Sequence, residues 1–110
     1  MNRPRMTSAA TAMLRLLLQR AGDERHRIFL SNWSSVDWQS LTFTGERHRI
    51  SFVIGGDAPA EFAQLWTAGI SEADFDLPGG FVADIALVGT IRARDDGAAL
   101  VELEALTLVD

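Results

Sequence analysis

The sequence contains no cysteine, no lysine and no tyrosine. Without cysteine there can be no disulfide, no thiol nucleophile and no zinc site built from thiolates. Without lysine there is no Schiff-base chemistry and no phosphate loop of the Walker type, which needs a lysine. All ten basic residues are arginine, and arginine without lysine, beside abundant alanine, glycine and aspartate, is the composition that we expect from a GC-rich bacterial genome.

Long apolar runs are missing as well. Nothing in the sequence approaches the roughly 20 apolar residues that a membrane-spanning helix needs. The uncharged stretch over residues 6–14 is rich in small polar side chains and is interrupted by Arg15, so it does not fit a secretory signal. We therefore expect a cytoplasmic protein without a membrane partner.

The length and the apolar content fit one globular domain. The chain has 110 residues, of which 47% are hydrophobic, and this is enough for a core of useful size. Residues 1–6 are polar and contain proline, so we expect a disordered tail there and one domain over residues 7–110.

The net charge of −5 is unevenly distributed along the chain. Residues 1–50 carry eight arginines against four acidic residues, whereas residues 51–110 carry two arginines against eleven. Two interpretations remain open. Either the basic and acidic strands pair within one sheet, or a charged face of the domain binds a partner.

Two segments have the apolar periodicity of helices. Residues 8–21 carry apolar side chains at helical spacing and are followed by Gly22, as a helix C-terminus often is. Residues 58–68 have Pro59 in the first turn, carry an apolar stripe and are followed by Gly69. We predict one helix in each segment.

Five strands are predicted around these helices, at residues 25–31, 38–43, 48–54, 81–93 and 98–109. A two-residue loop at Gly45-Glu46 joins the second strand to the third. A three-residue loop with Gly97 in the left-handed conformation joins the last two strands and sets Ile91 opposite Val101. Both registers are chosen because they place the apolar side chains on one face of the sheet.

The predicted fold class is α+β, with the order α-β-β-β-α-β-β. The strands form a largely antiparallel five-stranded sheet, and both helices pack on one face of it. The face under the helices is predicted to carry Leu41, Phe43, Ile50, Phe52, Ile85, Leu87, Val101 and Leu103. In its order of elements the chain resembles small phage tail-terminator proteins, and the resemblance implies a structural protein.

A five-residue pattern, Glu-Arg-His-Arg-Ile, occurs twice, at residues 24–28 and 46–50. It places His26 and His48 at equivalent positions near the start of two predicted strands. Histidine is the side chain best suited to acid–base chemistry near neutral pH, and His48 is the best candidate for a catalytic acid or base. The alternative is a structural histidine at the rim of the core. Two histidines without cysteine are poor ligands for zinc, so we expect no metal and no cofactor.

Four arginines point away from the apolar face of the predicted strands: Arg25, Arg27, Arg47 and Arg49. Together they could bind a phosphate or carboxylate group through bidentate hydrogen bonds, with His48 nearby. The alternative is that they pair with Glu102 and Glu104 in a neighbouring strand. Nucleic acid is disfavoured as a partner, since the chain is acidic and this face shows no aromatic platform for bases.

The sheet face away from the helices is only partly polar. Its apolar residues include Trp38, Val53, Val88, Leu106 and Leu108. A contiguous patch of this kind marks an association site, and two-fold dimers are the commonest oligomers. We therefore predict a homodimer and a non-enzymatic, self-associating module of a bacterial cytoplasm. The alternatives are a small-ligand or anion-binding domain that uses the arginines, a structural protein like the tail terminators, and an enzyme that uses His48.

Overall fold

The computed structural model describes residues 6–110, so the predicted tail lies, apart from Met6, outside the described residues. The helices are α1 (Ser8–Gln19) and α2 (Pro59–Thr67), and short 3-10 helices occupy Gly22–Arg27 and Ile70–Glu72. The strands are β1 (Ile28–Gln39), β2 (Thr44–Ile54), β3 (Asp76–Leu77), β4 (Gly80–Leu87), β5 (Arg92–Ala93) and β6 (Ala99–Val109). Within residues 6–110, neither helix has the length and apolarity that crossing a membrane requires.

The predicted α+β fold class is confirmed. The antiparallel strands follow the order β1-β2-β6-β4-β3, and β5 pairs with β6 beside β4. Both helices contribute to a core on one face of this sheet, and the indole N–H of Trp66 in α2 donates to the carbonyl oxygen of Leu17 in α1 at 2.9 Å. We call this side the covered face. Its buried apolar strand residues include Ile50, Phe52, Ile54, Ile85, Val101, Leu103 and Ala105.

The helix boundaries follow local chemistry. Thr7 is the N-cap of α1, and its hydroxyl accepts a hydrogen bond from the backbone N–H of Ala10 at 3.1 Å. Helix α2 is followed by Gly69, whose φ of 69° is the left-handed conformation that glycine tolerates best. The two predicted helices therefore agree with the structure to within two residues at each end.

The first hairpin differs from the prediction. β1 continues through residues 32–37, which separate the first two predicted strands, so one long strand with a bulge between Leu30 and Asn32 replaces two short strands. The turn lies instead at residues 40–43, where the Ser40 N–H donates to the Phe43 carbonyl oxygen at 2.8 Å. The predicted burial of Leu41 and Phe43 is wrong, because both lie in or beside this turn and are exposed.

Gly45 was interpreted as a turn residue, but it lies inside β2 opposite Leu108. A Cβ atom at this position would overlap the carbonyl oxygen of Thr107, and one at Gly80 in β4 would overlap that of Leu108. Glycine is therefore required here for the close approach of two backbones to the end of β6, and not for a turn.

The last hairpin agrees with the prediction at its tip. Arg92 lies opposite Leu100, which is the register that sets Ile91 in line with Val101. The predicted continuous strand over residues 81–93 is interrupted between β4 and β5. Before the interruption Leu87 lies opposite Leu103, whereas the register at the tip, if continued, would set it opposite Ala105. A shift by two residues leaves Ile85 and Leu87 on their predicted face.

A substitution at Leu103 tests the assignment of the covered face. Its side chain is fully buried in the core, so Leu103→Ala is expected to lower the free energy of unfolding by ~2–5 kcal/mol through lost burial and the cavity that remains. The matched control is Leu65→Ala on the outer side of α2, where 78% of the residue is exposed and little change is expected. Urea denaturation measures both, and equal losses in the two variants would contradict the assigned core.

Candidate functional site

His48 lies in the middle of β2 on the covered face and is only 3% exposed. The antiparallel registers place Ser35 of β1 on one side of it and Ala105 of β6 on the other. It is therefore a core residue, buried more deeply than the predicted rim histidine.

Both ring nitrogens of His48 have protein partners. The indole N–H of Trp33 donates to Nδ1 at 3.1 Å, and the Ser35 hydroxyl lies 2.8 Å from the same nitrogen. Since an indole can only donate, Nδ1 must carry the lone pair. The proton is then on Nε2, which donates to the Thr107 hydroxyl at 2.9 Å. The fold thus fixes one neutral tautomer.

Electrostatics favour the same neutral form. Burial lowers the pKa of His48 below its ordinary value of 6.5, although the carboxylate of Glu46, 3.7 Å from Nε2, acts in the opposite direction. The Glu46 carboxylate also accepts a hydrogen bond from the Thr7 hydroxyl at 2.7 Å. This links the N-terminus of α1 to the strand that carries the histidine.

The arrangement does not favour His48 as a catalytic acid or base. The lone pair of Nδ1 is already shared by two donors, and the proton of Nε2 is bound by a buried threonine. His26, its partner in the repeated pattern, is exposed in the first 3-10 helix, where Nδ1 lies 3.0 Å from the Asp23 carbonyl oxygen. The repeat therefore does not place the two histidines in equivalent environments.

The structure separates the four arginines of the predicted anion site. Arg25 and Arg27 belong to the first 3-10 helix and not to a strand, because the chain enters β1 only at Ile28. Arg27 donates to the carbonyl oxygens of Gly55 and Asp57, and its guanidinium lies 4.4 Å from the ring centroid of Phe62. Only Arg47 and Arg49 remain together, on adjacent outward positions of β2.

We call the sheet side opposite the helices the open face. Direct cross-strand pairs place Trp38, Gly45, Leu108 and Phe81 in one row of this face, and Val36, Arg47, Leu106 and Asp84 in the next row. The third row contains Ser34, Arg49, Glu104 and Ala86. One end of the open face is thus mainly apolar, and charged residues dominate its centre.

The five residues predicted to form an interface do not make one patch. Trp38, Leu106 and Leu108 are half-buried neighbours at the apolar end of the open face. Val53 lies beyond the charged centre, beside Leu100. Val88 follows the end of β4, and its N–H donates to the carbonyl oxygen of Glu102. The apolar patch is therefore smaller than the sequence suggested.

The charges at the centre of the open face lack ion-pair partners among the described residues. They are Arg47, Arg49, Asp84 and Glu104, all of them exposed. The alternative prediction, that the four arginines pair with Glu102 and Glu104, is not what the structure shows, since Glu102 pairs with Arg92 and Arg27 pairs with Glu24. A depression of about 200 Å³ lies among these four side chains. Because it carries both signs of charge, it is a poor site for a simple anion.

A larger cavity that the sequence did not reveal, of about 700 Å³, opens at the end of the sheet beside the N-terminus of α1. It is lined by the ends of β1, β2 and β6 and by the β3–β4 turn. Asp37 and Glu46 are its charged residues, and none of its described lining residues is basic. This lining is also unfavourable for an anion.

Comparison of the chain with known proteins identifies no relative. Neither a protein-family model, nor a curated protein, nor a solved structure matches the chain. Across residues 6–110, no group of three or more acidic or histidine side chains is arranged to hold a metal ion. The resemblance to tail-terminator proteins thus still rests on the order of elements alone.

The lowered pKa of His48 predicts how stability depends on pH. The unfolded chain binds a proton at His48 near the ordinary pKa of 6.5, whereas the folded chain does so only at lower pH. The contribution of His48 is therefore complete above pH 6.5 and is lost as the pH falls from 6.5 to the folded pKa. The free energy of unfolding should decrease over this range.

Urea denaturation between about pH 5 and 8 measures this dependence. We expect His48→Gln to flatten the decrease below pH 6.5, whereas His26→Gln, which removes an exposed histidine, should leave it in place. The same slope in wild type and in His48→Gln would show that His48 does not cause it.

Proposed function

We propose that the chain is a non-enzymatic, self-associating module of the bacterial cytoplasm, which dimerises by stacking the open faces of two copies. The observation that carries this proposal is the unpaired charge at the centre of the open face. Arg49 and Glu104 are direct cross-strand neighbours, both exposed, and neither forms an ion pair with another described residue.

A two-fold axis that runs along the strands, between β2 and β6, satisfies both charges. Rotation about this axis places β2 of one copy over β6 of the other and keeps each row of the sheet in line. Arg49 then faces the partner's Glu104, and Glu104 faces the partner's Arg49. The Arg49 and Glu104 pair of one chain is thus complementary to the same pair of a second copy.

The apolar end of the open face also favours a second copy of the chain as the partner. Trp38, Leu106 and Leu108 lie beside the charged centre, half-buried, on the sheet side opposite the core. The same rotation stacks this end on its own copy, where apolar burial adds to the charge contacts. Aromatic residues and arginine are enriched at protein interfaces.

The other predicted functions receive less support. The histidine proposed for catalysis is held in one tautomer inside the core, and both of its ring nitrogens have protein partners. The anion site loses two of its four arginines, and the remaining two lie among carboxylates.

The open-face dimer predicts a charge-reversal phenotype. The wild type should elute at twice the 12.0 kDa of one chain at micromolar concentration, as measured by light scattering after size exclusion. Arg49→Glu or Glu104→Arg should weaken this dimer, because each places like charges across the axis. Since both positions are exposed, the fold should be unaffected.

The double variant Arg49→Glu with Glu104→Arg restores complementary charges and should restore the dimer. Arg94→Glu is the matched control, an exposed arginine in the β5–β6 connection outside the proposed contact. A wild type that elutes as a 12.0 kDa monomer, or a double variant as weak as the single ones, would contradict this interface.

A further inference from the structure

The hydrogen bond between Trp33 and His48 depends on the charge of the histidine. The indole N–H can only donate, and at 3.1 Å from Nδ1 it uses the lone pair of a neutral imidazole. A protonated imidazole carries a hydrogen on both nitrogens and keeps no lone pair, so no orientation of the ring offers the indole an acceptor. This bond is therefore lost when His48 takes up a proton.

The remaining partners of His48 accommodate the proton. The Ser35 hydroxyl, 2.8 Å from Nδ1, has both a hydrogen and lone pairs, so it can turn and accept from the new N–H. The Thr107 hydroxyl lies 2.9 Å from Nε2 and accepts from its N–H in either charge state. The Glu46 carboxylate, 3.7 Å from the same nitrogen, supplies a negative charge. Protonation thus breaks the Trp33 bond, while the imidazolium itself stays hydrogen-bonded and paired.

The charged side chains around His48 are acidic. On the covered face, Glu46 precedes His48 by two residues in β2, and Asp37 of β1 lies directly opposite Glu46. The described neighbours from the other packed elements are uncharged, namely Ala105 and Thr107 in β6, Ile85 in β4 and Thr7 at the N-terminus of α1. Burial lowers the pKa of His48 and Glu46 opposes this effect, so the folded chain takes up the proton below pH 6.5.

We propose that His48 and Trp33 form a pH-sensitive switch, in which protonation of the histidine releases the indole from the covered face while the helices and the rest of the core remain packed. The indole presents its N–H edge to the imidazole, with 5.9 Å between the ring centroids and 77° between the ring planes. This edge carries the positive part of the aromatic quadrupole, so an imidazolium repels it.

The position of Trp33 allows this side chain to leave alone. Trp33 lies opposite Ile50 in β1, an edge strand that pairs with β2 only, and its side chain is half-buried against the core. An indole that turns outward from an edge strand displaces no other strand. Because Trp33 is on the covered face and the proposed dimer uses the open face, the switch does not rest on the proposed function.

The chain contains three tryptophans, and their indole N–H groups make the switch observable. Each group gives its own signal in a proton–nitrogen NMR spectrum, and Trp33→Phe identifies the signal of Trp33. As the pH is lowered from about 8 toward about 5, this signal should move toward the position of a solvated indole. Its exchange with water should become several-fold faster, because the hydrogen bond that protects it is lost.

Trp66 is the internal control. Its indole N–H donates to the Leu17 carbonyl oxygen at 2.9 Å, a bond between the two helices in which no histidine takes part. Its signal should stay in place over the pH range in which the signal of Trp33 moves. Signals of Trp33 and Trp66 that change only together would overturn the switch, because protonation would then unfold the whole chain.

Two substitutions assign the response to His48. In His48→Gln, an amide oxygen that does not titrate takes the place of Nδ1, so the Trp33 signal should no longer depend on pH. His26→Gln, which removes an exposed histidine, should leave the response unchanged. A Trp33 response that persists in a folded His48→Gln protein would contradict the proposal.

Glu46→Gln provides a test that keeps the histidine. It removes the negative charge 3.7 Å from Nε2 but keeps an oxygen that can accept from the Thr7 hydroxyl, so the switch should move to lower pH. Glu61→Gln, at an exposed position of α2, is the matched control and should leave the midpoint in place. An unchanged midpoint in Glu46→Gln would show that the proton is taken up elsewhere, and the switch would be refuted.

Discussion

The contact between two helices and one face of the sheet is the constraint on which the other features depend. Helices α1 and α2 bury Phe52, Leu103 and their neighbours, and this burial provides the main apolar core. Two helices of 12 and nine residues cover one face of the sheet and leave the opposite face and the edge of β1 exposed. The proposed contact between copies uses a surface that this arrangement leaves free.

The His48 cluster shows how a polar group is accommodated inside this core. A buried imidazole is stable when both nitrogens are hydrogen-bonded, and here three neighbouring side chains from β1 and β6 provide the partners. The same bonds hold β1 and β6 in register on either side of β2. Thus the histidine that looked most like a catalytic residue in the sequence contributes to the alignment of the three strands.

The fold class could be predicted from the sequence because helix periodicity and the apolar alternation of β6 are strong local signals. The first hairpin could not be predicted, because β1 is an edge strand whose mostly exposed side chains do not alternate between apolar and polar. In addition, Gly45 has the residue type of a turn although it lies inside β2. The candidate site was predicted in part. His48 was identified from the sequence, but its partners depend on strand register, and the position of Arg27 depends on carbonyl oxygens that are distant in the chain.

The close packing of Gly45 and Gly80 around the end of β6 also limits how this sequence can diverge. A side chain at either position would collide with a main-chain carbonyl, which no change of rotamer in a neighbour can relieve. Homologous chains that keep this strand pairing must therefore keep both glycines, even where the surrounding residues have changed. The pair is a better marker for finding distant members of this lineage than the repeated Glu-Arg-His-Arg-Ile pattern, whose two copies serve different roles.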